Sequence, residues 1–92
     1  MAQNPQYELV LVYSNSNQQS LRLRVAINEF ISEHLGRIDM SVREIEFERD
    51  KAEASSLGVL GTPATLLFKD GELVRRNFGE LTVEELRAMI GD

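Results

Sequence analysis

The chain contains no cysteine, no tryptophan, one histidine and only two prolines among its 92 residues. Without cysteine there is no disulfide, no metal–thiolate site and no thiol nucleophile. One histidine among scattered carboxylates gives no recognisable ligand spacing, so no metal and no cofactor is expected. Basic residues are also short: 10 Lys and Arg against 15 Asp and Glu leave a formal charge of −5. Affinity for nucleic acid rests on cations set against phosphates, so nucleic acid is not an expected partner. The longest apolar stretch, Leu9 to Tyr13, is far too short to cross a bilayer. Residues 1–6 carry no positive charge and lead straight into a strand-like run. A cytoplasmic protein without a membrane partner is the expectation. A glycine-rich phosphate loop and a G-x-S-x-G elbow are both missing.

What remains is an ordinary globular composition, 42% hydrophobic, long enough for one domain over residues 1–92 with a flexible segment at 1–6. Tyr7 to Tyr13 is β-rich and nearly all apolar, the pattern of a central strand covered on both faces. Ser16 and Gln19 have capping-box spacing and open a helix running to about Leu35, with a stop at Gly36. Leu23, Ala26, Ile27, Phe30, Ile31 and Leu35 recur at helical intervals and form its buried stripe. Ser41 to Glu48 reads as an edge strand, because Glu44, Glu46 and Glu48 alternate with Ile45 and Phe47. A second box, Asp50 with Glu53, starts a short helix through Leu57 that ends at Gly58. Ala64–Phe68 and Leu73–Phe78 flank Asp70-Gly71, a hairpin signal. Thr82 and Glu85 open a last helix with Val83, Leu86, Met89 and Ile90 inward. The order is βαβαββα, an α/β arrangement in which βα units are expected to form parallel pairs and the hairpin the antiparallel part of one four-stranded mixed sheet flanked by three helices.

That order resembles the minimal thioredoxin/glutaredoxin fold from about Tyr7 to Ile90. The most specific part is Gly58-Val59-Leu60-Gly61-Thr62-Pro63-Ala64-Thr65-Leu66-Leu67-Phe68, which is similar to the family segment holding a cis-proline. Phe78-Gly79 before the capped last helix follows the same pattern. The resemblance implies a cis Thr62-Pro63 bond beside the family's active site, and a Thr62 backbone that pairs with a bound extended peptide. It also implies that Asn17-Gln18-Gln19-Ser20 stands where redox members carry C-x-x-C, with Asn17 in place of the nucleophile and Ser20 in place of the resolving cysteine. Neither side chain forms a disulfide. A serine nucleophile needs a base, and His34 lies near the far end of the helix, where a last-turn role against backbone carbonyls is expected.

The expected function is therefore a non-catalytic module that binds another protein. Its groove would be lined by Ser14, Asn15, Ser16, Asn17, Ser20, Thr62 and Pro63, and it has no enzyme activity of its own. Two alternatives follow from resemblance. Tyr13 to Ser20 and Gly79-Glu80-Leu81-Thr82 are similar to segments of KaiB-like clock proteins, which implies a ring-shaped ATPase as partner. A glutathione-binding, enzyme-like domain would use Thr62-Pro63 for the ligand backbone and Ser20 or Tyr13 near its sulfur. A self-associating structural subunit is a further class, against which the glutamate-bearing edge strand argues. Arg22/Arg24 and Arg75/Arg76 form local pairs that could attract an anion, their ordinary reading being solvated outer faces.

Overall fold

A computed structural model describes residues 6–34, 37 and 39–90. Along the chain run β1 (Tyr7–Tyr13), α1 (Gln18–His34), β2 (Met40–Glu46), α2 (Lys51–Ser56), β3 (Ala64–Lys69), β4 (Glu72–Phe78) and α3 (Val83–Ile90). The strands form one sheet in the order β2-β1-β3-β4. β1 pairs with β2 in parallel and with β3 in antiparallel. Only one pair is parallel, because α2 delivers β3 to the other side of β1 running the opposite way. The expectation of several parallel pairs fails there.

The alternation along β1 sends its side chains to two separate cores. Leu9 and Leu11 pack with Leu23, Ile27 and Phe30 of α1 and with Leu86, Met89 and Ile90 of α3. Val10 and Val12 pack on the other face with Ile45, Ala54, Val59, Ala64 and Leu66. Leu9, Leu11, Leu23, Phe30 and Leu86 are completely buried. Truncating a side chain such as Phe30 to alanine costs on the order of 3–5 kcal/mol.

Local chemistry explains most boundaries. The hairpin is a two-residue turn with positive φ at both positions, 52° at Asp70 and 87° at Gly71, the geometry that suits Asp-Gly between twisted strands. Beyond it the β3–β4 register slips between Leu67 and Phe68, leaving Val74 as an extra residue on β4. α2 ends in a complete Schellman motif. Val59 N–H donates to the Ala54 carbonyl and Gly58 N–H to that of Ser55, both at 2.9 Å, with Gly58 at φ 78°. The Thr82/Glu85 box forms in both directions, at 2.9 and 3.1 Å.

The other two boxes do not form as read. Asn17, one residue later than Ser16, caps α1. Asp50 makes no side-chain cap bond, and Glu53 is turned toward Arg43 on the neighbouring strand. The expected stop at Gly36 lies outside the described residues, as do 1–5 of the expected flexible segment. Gln6 itself is tied down, its carbonyl accepting from Asp70 N–H at 2.8 Å.

Candidate binding site

The start of α1 and the loop before β3 meet at one corner, through Asn17. Its Oδ1 accepts the Ser20 N–H at 3.0 Å, satisfying one of the free donors of the helix terminus. Its Nδ2 donates to the Thr62 carbonyl at 3.3 Å, across 45 residues of sequence. The Thr62–Pro63 peptide is cis, and the Pro63 carbonyl accepts from Gly79 N–H at 2.9 Å. One amide side chain therefore latches the helix to the loop, and the loop is latched in turn to the end of β4.

Behind Asn17 the polar groups close on one another. Ser20 is fully buried and its Oγ accepts from the Ser14 N–H at 3.1 Å. Ser14 is buried too, and its hydroxyl donates to Glu48 at 2.8 Å while lying 2.9 Å from the Ser16 hydroxyl. Since the Ser14 proton is committed to Glu48, Ser16 is the donor in that second pair. Asn15 Nδ2 donates to Glu46 at 2.7 Å. On β2, Glu44 takes a bidentate contact from Arg24 at 3.0 and 3.2 Å. The alternating glutamates of β2 and the turn after it thus hold the β1–α1 loop and α1 itself, and do more than keep one face wet.

Of the residues proposed for the groove, Ser14, Ser20 and Pro63 are buried, Asn17 and Thr62 are half-buried, and Asn15 and Ser16 are exposed. The buried ones shape the corner from inside. Two side chains not anticipated stand on its rim: Leu60 at 85% exposure and Phe78 at 55%. Leu60 lies two residues before Thr62, and Phe78 pairs with Ala64 directly after Pro63. Both were visible in sequence as apolar residues, but only the register of β4 places Phe78 beside Pro63.

The electrostatics of the rim are neutralised by pairing. Arg22 of α1 makes a bidentate contact with Glu80, at 2.6 and 3.0 Å. That guanidinium holds the Glu80 carboxyl below its ordinary value. Arg24 lies 4.4 Å over the Tyr13 ring. These two arginines therefore do not form an open anion patch.

As chemistry, the corner offers hydrogen bonds and apolar surface. Ser20 has no base: His34 sits about 21 Å along the helix axis, its Nδ1 2.9 Å from the Phe30 carbonyl. Ser20 is also too deeply buried to meet a ligand's sulfur, and Tyr13 is covered by Arg24. Among the described residues no group of His, Asp or Glu is arranged to hold a metal ion, and no helix is long and apolar enough to cross a membrane.

A four-stranded β2-β1-β3-β4 sheet between α1/α3 and α2, with a cis-proline loop facing a helix start, is the thioredoxin fold. This protein is a chain of that fold without cysteine. Comparison with known proteins agrees. The chain superposes on a thioredoxin variant from Halobacterium salinarum with a TM-score of 0.83 and 26% identity, covering 94% of this chain and 73% of that one. It superposes on thioredoxin-2 of the malaria parasite, described as a component of a protein secretion machinery, with a TM-score of 0.86 and 11% identity, covering 97% and 84%. In sequence it is 30% identical over 88 residues to NADPH-dependent thioredoxin reductase 3 of Arabidopsis thaliana, covering 96% of this chain but only 16% of that protein. No family model matches the chain.

Proposed function

We propose that this protein is a non-catalytic binding module. It holds an extended segment of another protein at the Thr62–Pro63 corner and has no thiol–disulfide activity. The observation that carries the reading is the corner itself: a backbone fixed by the Asn17 latch, with exposed apolar Leu60 two residues before it and exposed Phe78 paired to Ala64 just after it. Thr62 N–H has no acceptor among the described residues. An incoming strand would take that donor and lay alternate side chains against Leu60 and Phe78, a main-chain mode with apolar specificity. Exposed apolar groups beside an open main-chain donor are typical of recognition surfaces. Disulfide exchange needs a thiol, and the sequence holds no cysteine.

The test is selection of binders from a random peptide library displayed on phage. Recovered peptides should bind with affinity that falls on Leu60→Glu and Phe78→Ser, and should be indifferent to Val25→Glu on the outer face of α1. Binders that ignore Leu60 and Phe78, or an empty selection, would discard the corner as the contact surface.

A further inference from the structure

A second surface, on the opposite side of β4 from β3, has the form of a strand-accepting slot. β4 is the last strand of the sheet, so its outer N–H and C=O groups have no ladder partner among the described residues. Between β4 and α3 lies a groove of about 450 Å³, within the roughly 300–1,000 Å³ of ligand clefts. One wall is the consecutive run Val74, Arg75, Arg76 and Asn77. Arg75 and Asn77, paired with Leu67 and Thr65, face α3 from this edge, and the extra residue Val74 breaks the strand's alternation beside them. Leu81 and the Ala88 and Met89 positions of α3 form the other wall.

The charge of the slot points to its occupant. Arg22, Arg24, Arg43 and Arg87 each pair with a carboxylate, whereas Arg75 makes no ion pair among the described residues. Arg76 reaches back over the C-terminal end of α2, where a Cβ on Gly58 would lie 3.5 Å from its Nη1, and it too pairs with no carboxylate there. Glu85, which also lines the groove, has one oxygen committed to the Thr82 N–H. By contrast Glu44, on the opposite edge of the sheet, is closed by its arginine.

We infer that the β4 edge accepts an extended acidic–apolar segment of a partner protein as a fifth strand, with a carboxylate on Arg75 and an apolar side chain between Val74, Leu81 and Met89. A second copy of this chain fits less well. The antiparallel register that pairs all of β4 with itself sets Arg75 opposite Arg75, and like charges opposed across strands repel. The surface is distinct from the Thr62–Pro63 corner, so either can fail without the other.

The experiment uses a short end-blocked peptide alternating glutamate and valine, its lysine-for-valine-neighbour counterpart in which every glutamate is lysine, and a backbone N-methylated form of the acidic peptide. Binding is read by fluorescence anisotropy and by amide NMR shifts. The acidic peptide is expected to bind, with shifts centred on residues 74–77, and to bind about tenfold or more weakly to Arg75→Glu, as expected on reversing a charge-assisted contact. The lysine and N-methylated peptides should show little binding. N-methylation removes strand pairing without altering the protein, so the result does not depend on the variant's folding. Equal binding of acidic and lysine peptides, insensitivity to N-methylation, shifts centred on Thr62 instead, or self-association through β4 would each overturn the inference.

Discussion

Replacing Asn17 by alanine removes two bonds at once, the cap to Ser20 N–H and the latch to the Thr62 carbonyl. Loss of an N-cap costs about 0.5–2 kcal/mol, typically near 1. A side-chain hydrogen bond to a backbone carbonyl contributes about 0.5–1.5 kcal/mol net. Asn17→Ala should therefore destabilise by about 2 kcal/mol. For a domain of this size 1 kcal/mol moves Tm by roughly 4–8 °C, so a fall of roughly 8–16 °C is expected. Asn17→Asp separates the two contributions. It keeps an oxygen for Ser20 N–H and places a negative charge at the positive end of α1, worth about 0.3–1 kcal/mol. It has no donor for Thr62 and sets a carboxylate against that carbonyl. Its net loss should fall below that of alanine, at about 1 kcal/mol or less. Circular dichroism during thermal and urea unfolding measures both. An alanine variant within about 0.3 kcal/mol of the parent, or an aspartate variant worse than alanine, would refute the assignment of Asn17 as cap and latch.

Other outcomes follow from single contacts. Thr65 Oγ1 is buried with no hydrogen-bond partner among the described residues, and an unpaired buried polar group costs about 1–3 kcal/mol. Thr65→Val should thus raise stability by about 1 kcal/mol in urea unfolding. Thr82→Ala breaks the reciprocal box at α3 and should lower it by about 1 kcal/mol. Gly71→Ala puts a side chain at φ 87° and should cost about 1–2 kcal/mol. Glu80, held low by Arg22, should titrate below an ordinary glutamate by carbon-detected NMR and move back up in Arg22→Gln. Because its folded value is depressed, that pair's contribution is present above the ordinary glutamate pKa and is lost as pH falls through the folded value. Loss in the opposite direction would contradict the pairing.

How far these features were legible depended on their range along the chain. The limits of β1, the Asp70-Gly71 turn and the Thr82 box rest on residues within a few positions of one another, and the sequence pattern reached them. The Asp50 box had the right spacing, yet Glu53 is taken by Arg43 from β2, a competitor ten residues away. Ser16 has cap spacing for the same local reason, whereas its hydroxyl is spent on Ser14 and Asn17 takes the position. Alternation marks Glu46 and Glu48 only as edge-strand residues, because nothing local shows that the β1–α1 loop folds onto them. The approach of Thr62 to the α1 start came from family resemblance, since periodicity carries no information about a contact 45 residues apart. Leu60, Phe78 and the β4 edge are not legible in sequence because strand order and register, not residue type, expose them.

The claim on which the functional reading depends is that the Thr62 amide is the open donor of a binding corner. Its direct test is the Thr62 N–H resonance as a peptide recovered by selection is titrated in. A downfield shift with slowed hydrogen exchange at Thr62, accompanied by side-chain shifts at Leu60 and Phe78, is the expected result. Saturable peptide binding that leaves the Thr62 amide and both side chains unmoved would contradict it.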